Sequence, residues 1–296
     1  AVFTRQPPPM PEQVLVDFDH HRLAALQAGD RRYPALVLLL GWPLSRAVWQ
    51  PVIEPLAADH HVLAFDLPGI AQSASPIQAP TRKAEIAQLV LDAAQAAGAR
   101  DITIAGVDVG GMIAFAAARD FADRIRGAVI MNTVIPGLDP WRQVLTDERV
   151  WHFAFHLIRG LPEKLVTGHE RVYFDYFIDT LSAHPEKIDD ALRRQFVLGY
   201  TATGALKTGF GWYRAMPADA RHNSRHQPID TPILYLRGDA DRRPIAPYVD
   251  GLKAVGASDV RGSVIKGSGE LPSIEAPKAL IACLREFTAS LPAMNS

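Results

Sequence analysis

The segment Gly106-Val107-Asp108-Val109-Gly110-Gly111 constrains the fold of this chain more than any other. The apolar run Ile102-Thr103-Ile104-Ala105 leads into it, and Met112-Ile113-Ala114-Phe115-Ala116-Ala117-Ala118 follows. A β-branched run, a glycine-flanked acid and an alanine-rich stretch predict a strand, a sharp turn and a helix. The spacing matches Gly-x-Ser-x-Gly, a strand-to-helix elbow, with aspartate in the central place. Glycines suit such an elbow because the turn leaves no room for neighbouring Cβ atoms. An acid at its tip is pushed beyond the carboxyl edge of the sheet, where open α/β sheets bind ligands. Asp108 has a second reading as a helix N-cap that satisfies free amides.

The surrounding chain keeps the same rhythm. Residues 14–18 and 22–28 predict a hairpin, and residues 35–40 a buried strand followed by a helix from about Ala47. Residues 61–65 predict a strand, and residues 82–97 a helix whose apolar face is Ile86, Leu89, Val90 and Ala93. After the elbow come a strand over 127–132 and two more over 232–236 and 261–265, each of these two followed by a helix. Continuous apolar strands alternating with helices imply an α/β fold: a mostly parallel central sheet with helices on both faces. Residues 136–220 break the rhythm. They are aromatic, helical in pattern and without a convincing strand, and predict an inserted helical cap. The division is therefore residues 1–135 and 221–296 as core and 136–220 as cap. Most cap aromatics are expected to be its own core, with a minority lining an apolar pocket over Asp108.

Composition narrows the function. A 296-residue chain that is 48% hydrophobic can bury one large core with an insertion. A net charge of −1 gives no footprint for a nucleic-acid partner. The single cysteine, Cys283, excludes an internal disulfide and fits a reducing, cytoplasmic setting. The proline-rich residues 1–11 read as a loose arm rather than a signal peptide, and the apolar run 35–40 is far too short to span a bilayer, so no membrane partner is expected. There is no Gly-x-Ser-x-Gly, dinucleotide fingerprint, phosphate loop or metal-ligand spacing, so a serine esterase, a cofactor and a metal are not expected. A homodimer is left open.

Several further motifs, in order, carry a resemblance. They are Leu40-Gly41-Trp42-Pro43 with Trp49, Phe65-Asp66-Leu67-Pro68-Gly69, the Asp108 elbow, Val150-Trp151-His152-Phe153, Trp212-Tyr213-Arg214-Ala215-Met216, Arg237-Gly238-Asp239-Ala240-Asp241, and Gly267-Ser268-Gly269-Glu270-Leu271-Pro272 with Glu275 and Pro277. Together they resemble the α/β-hydrolases with an aspartate nucleophile: epoxide hydrolases and, more distantly, haloalkane and fluoroacetate dehalogenases. The resemblance runs over residues 14–287. It implies that Asp108 attacks carbon to form an ester, and that the backbone amides of Trp42 and Val109 hold the oxyanion. It implies that Tyr213, with Tyr176 or Tyr173, donates to the epoxide oxygen. Asp241 fits the triad acid, with Asp239 as rival. Trp151, His152 and Tyr176 are candidate contacts to a hydrophobic small-molecule substrate.

The departures bear on the chemistry. The position of the family's catalytic histidine reads Glu270, and two further histidine positions read Val107 and Leu40. The expectation is that Asp108, Asp241 and Glu270 converge where the family has two acids and a base. Three carboxylates in an apolar cleft cannot all stay ionised cheaply, so at least one keeps its proton. A carboxylic acid beside a carboxylate is an acid/base pair, but a poor base for hydrolysing an ester. Three readings follow: an epoxide-hydrolase-like enzyme with an altered or lost hydrolytic step; a cyclase, isomerase or dehydratase using the acids directly; and a binding protein that keeps only the pocket.

Overall fold

A computed structural model describes residues 10–75 and 77–294. Most of the loose arm expected over 1–11 lies outside the described residues. The sheet has eight strands: β1 (Glu12–Phe18), β2 (His21–Ala28), β3 (Ala35–Leu39), β4 (His61–Phe65), β5 (Thr103–Val107), β6 (Gly127–Met131), β7 (Ile233–Gly238) and β8 (Val260–Ile265). Their spatial order is β1-β2-β4-β3-β5-β6-β7-β8. Only the β1–β2 hairpin runs antiparallel to its neighbours; from β4 to β8 every pairing is parallel. Every residue of β3 to β7 is buried, as a sheet covered on both faces requires.

The helices outside the insertion are α1 (Gln50–Leu56), α2 (Lys83–Ala96) and α3 (Val109–Asp120) before it, and α11 (Ala246–Ala254), α12 (Pro272–Glu275) and α13 (Pro277–Ser290) after it. The helix expected near Ala47 begins as a tight 3-10 turn, Arg46–Trp49, before α1. In α2 the buried stripe is Ile86, Ala87, Val90, Leu91, Ala93 and Ala94, so Leu89 is only its margin. α3 packs on β5, β6 and α2, which fixes the elbow against the centre of the sheet.

Between β6 and β7 lie α4 (Trp141–Leu145), α5 (His152–Leu157), α6 (Leu161–Val166), α7 (Glu170–Leu181), α8 (Asp190–Leu198), α9 (Ala205–Arg214) and α10 (Met216–Asn223). No strand interrupts them among the described residues. The boundary drawn at 220 falls inside α10. The buried Lys83 Nζ holds Asp219 Oδ2 at 3.0 Å and also donates to the Trp212 carbonyl, so α2 anchors α9 and α10 together. Tyr200 Oη donates to the Leu44 carbonyl at 3.0 Å, a second tie to the sheet loops. Among the described residues no helix is long and apolar enough to cross a membrane.

Candidate active site

β5 ends at Val107 and α3 begins at Val109, leaving Asp108 alone on the turn. Its backbone sits at φ 53° and ψ −122°, a strained conformation for a residue with a Cβ. The turn is this tight because the glycines allow it. A Cβ on Gly106 would meet the Gly110 backbone, and one on Gly110 would meet the Leu39 and Leu40 carbonyls. The Asp108 side chain makes no capping bond to α3, which removes the N-cap reading. One carboxylate oxygen, Oδ2, instead accepts the Trp42 amide at 2.9 Å. The Val109 amide is near enough to pull the carboxylate pKa down. Both expected backbone donors are therefore aimed at Asp108 itself.

Asp108, Asp241 and Glu270 follow the carboxyl ends of β5, β7 and β8 and line one cavity of about 180 Å³. Tyr213, His152, Phe153, Phe177 and Trp42 also form its wall. Burial pushes Asp108 up to about 6, against the pull of the Trp42 and Val109 amides and of the Lys83 charge. Burial, with the Asp108 charge added, pushes Glu270 well above the ordinary carboxylate range. Asp241 goes the other way. Burial would raise it, but the Arg243 and Arg237 guanidiniums overcome that and hold it low. The cluster thus combines an ionised acid, a protonated acid and one acid poised between them.

Asp241 does not orient Glu270. It accepts from Arg237 and from Arg243, whose amide and Nε lie 3.0 and 3.2 Å from its Oδ1. The rival Asp239 is not on the cavity wall; its Oδ1 takes the Gly267 and Ser268 amides at 2.9 and 3.2 Å and so shapes the loop before Glu270. Two other residues hold that loop. Asn132, at the tip of β6, donates Nδ2 to the Gly269 and Glu270 carbonyls at 3.0 and 3.1 Å. The buried Glu275 carboxylate accepts four amides: Ala183 (2.6 Å) and His184 (2.8 Å) from the insertion, and Gly269 (3.2 Å) and Leu271 (2.9 Å) from the loop. The Glu270 amide itself donates to the Leu181 carbonyl at 3.1 Å.

Tyr213 is fully buried, and its hydroxyl has no hydrogen-bond partner among the described residues. Burial pushes its pKa well above the usual phenol, so it remains a proton donor. His152 stacks on Trp42, with ring centres 5.7 Å apart, and burial lowers it to about 3, so it is a neutral imidazole. It is the one histidine on the cavity wall among the described residues, and it comes from α5, away from the β8 loop that carries Glu270.

Two expectations are overturned. Trp151 is 41% exposed and Tyr176 48% exposed, and neither lines the cavity. Neighbouring positions on a helix point about 100° apart, so with His152 turned inward Trp151 is turned out. On α7 the inward stripe is Phe174, Phe177 and Ile178, which leaves Tyr176 on the outer side. The alternative Tyr173 is not on the wall either; its hydroxyl lies 2.8 Å from His156 Nε2. His156 was missed in the sequence, although it stands four residues after His152 on the same helical face. It packs edge-on to Tyr213 at 4.4 Å and so sets that ring's position.

A family model described as the alpha/beta hydrolase fold matches residues 34–160. Across 93% of its length the chain also superposes on Cfl2 from Burkholderia cenocepacia, covering 95% of that chain at a TM-score of 0.83 and 28% identity. The chain has the α/β-hydrolase fold. In sequence it is 27% identical to a soluble epoxide hydrolase of Corynebacterium sp. (strain C12), over 92% of this chain and 95% of that one. It is equally 27% identical to a pimeloyl-[acyl-carrier protein] methyl ester esterase of Xanthomonas oryzae, over 88% and 96%. Both of these relatives are enzymes by name, an epoxide hydrolase and an esterase.

Proposed function

We propose that the protein acts on a compact, largely hydrophobic small molecule through Asp108, in the manner of an epoxide hydrolase whose hydrolytic half-reaction is altered. The observation that carries this is the seating of Asp108: its Oδ2 accepts the Trp42 amide at 2.9 Å, and the carboxylate faces the cavity from the tip of a tight turn. In this reading Asp108 Oδ1 attacks an epoxide carbon, the C–O bond breaks toward oxygen, and Tyr213 supplies the proton to that oxygen. The product of this half-reaction is an ester on Asp108. Its hydrolysis needs a base to take a proton from water. Glu270, pushed toward its protonated form by burial and by the neighbouring acid, fills that role poorly. The cavity volume fits a one-ring substrate.

A second reading is favoured by the split titration. A protonated Glu270 beside an Asp108 poised at about 6 is an acid/base pair able to isomerise, cyclise or dehydrate a substrate without an ester. Intact mass after incubation with styrene oxide separates the two. A persistent adduct, absent in Asp108→Asn, supports the nucleophilic reading. Neither adduct nor diol removes it and leaves acid/base chemistry or simple binding.

A further inference from the structure

The cavity wall formed by the β7 loop and the start of the insertion is basic. Arg149, Arg237 and Arg243 all line it. Two carboxylates serve these three guanidiniums. Asp147 accepts Arg149 Nε and Nη2 at 3.1 and 2.8 Å and lies 3.4 Å from Arg243 Nη1. Asp241 accepts Arg243 and Arg237. Glu270, the other acid of this wall, is pushed toward its protonated form by burial and by the Asp108 charge.

The hydrogen-bond inventory is unbalanced in the same sense. Arg243 Nη1, Arg237 Nε and the Tyr248 hydroxyl are buried donors with no acceptor among the described residues. Arg237 is fixed in place over the Tyr248 ring, 4.2 Å from its centre, and by Tyr235 Oη at 2.8 Å. Arg149, 50% exposed, and Arg243, 28% exposed, keep part of their side-chain surface open. A surplus of forked donors and of positive charge on one wall of an otherwise apolar cavity is what a planar oxyanion complements.

We propose that Arg243 and Arg149 form a subsite for a carboxylate of the substrate, which places the reacting carbon of the same molecule at Asp108. The site then takes a small carboxylic acid with a hydrophobic body, rather than a neutral hydrocarbon derivative. The subsite deepens the reading of Asp108 chemistry, but its binding test stands apart from that chemistry.

The test is calorimetric titration at pH 7.5 with 3-phenylpropanoate and with its neutral isostere 3-phenylpropanamide. The carboxylate should bind at least about tenfold more tightly, in keeping with a charge-assisted pair. Arg243→Gln should remove that preference, weakening the carboxylate at least about tenfold relative to the amide. Should Arg243→Gln misfold through loss of the Asp241 and Asp147 contacts, Arg149→Gln carries the test, because among the described residues Arg149 side-chain bonds reach only Asp147. Equal affinity for acid and amide in the wild type overturns the subsite, as does a preference that survives in the folded arginine variants. Incubation with 3-phenylglycidate and styrene oxide keeps the two readings apart. Carboxylate preference without any adduct supports the subsite and removes epoxide opening; an adduct without carboxylate preference does the reverse.

Discussion

Asp108→Asn is expected to make the protein more stable, and by an amount that depends on pH. The folded state holds the Asp108 proton up to about 6, against 3.8 for an ordinary aspartate. The folded chain therefore binds more protons than the unfolded chain between those values, and its stability falls as pH rises through that window. At roughly 1.36 kcal/mol per pH unit the full gap is worth about 3 kcal/mol above pH 7. Asp108 keeps some access to water through the cavity, which brings the expectation to about 2 kcal/mol. Asparagine keeps the shape and can still offer its oxygen to the Trp42 and Val109 amides. It also removes the neighbouring charge that disfavours ionised Glu270. Denaturant unfolding of both proteins between pH 4.5 and 8 reads the difference. The difference should be about a third of its full size at pH 4.5 and grow up to about pH 7. A variant less stable than the wild type at pH 7.5, or a gain that does not vary with pH, would show that Asp108 is not a destabilised buried acid.

Other outcomes follow from the same geometry. Glu275→Gln replaces one accepting oxygen by a donor facing backbone amides, and should cost about 2–4 kcal/mol in denaturant unfolding; less than about 1 kcal/mol would mean the four amides find other partners. Tyr213→Phe removes a hydroxyl with no hydrogen-bond partner among the described residues, so stability should stay within about 0.5 kcal/mol while the rate of adduct formation by mass falls roughly a hundredfold. An unchanged rate would assign the proton to another group. Glu270→His should convert a persistent adduct into epoxide-to-diol turnover, rising with pH as the imidazole loses its proton. Diol production no higher than in the wild type would remove Glu270 from the hydrolytic position.

The parts of the site written in short local patterns were legible in the sequence. The elbow rests on glycines at fixed offsets from Asp108, and the strand pattern alone locates β3 to β8 along the chain. Tyr213 and His152 were legible as motif residues. Trp151 and Tyr176 were misplaced because an aromatic run does not say which members face inward. That depends on helical phase, which the neighbouring His152 and the Phe174–Phe177 stripe decide. Asp241 was found but its partners were not. Arg237 and Arg243 stand beside it in sequence, yet the sharing of Asp147 between Arg149 and Arg243 joins segments far apart in the chain. The split titration was expected in kind; the arginines hold Asp241 ionised, while burial raises Asp108 and Glu270.

The Glu275 carboxylate has a mechanical consequence. It binds the turn after α7 and the Glu270 loop at once, and the Glu270–Leu181 bond runs alongside. The helices above the sheet cannot swing open at this side without dragging Glu270 from its place. Traffic of substrate and product should therefore use the mouth flanked by the half-exposed Arg149, with this hinge staying shut during turnover. The amides of Ala183, His184, Gly269 and Leu271 would then exchange with deuterium slowly and at a common rate, as one cooperative unit.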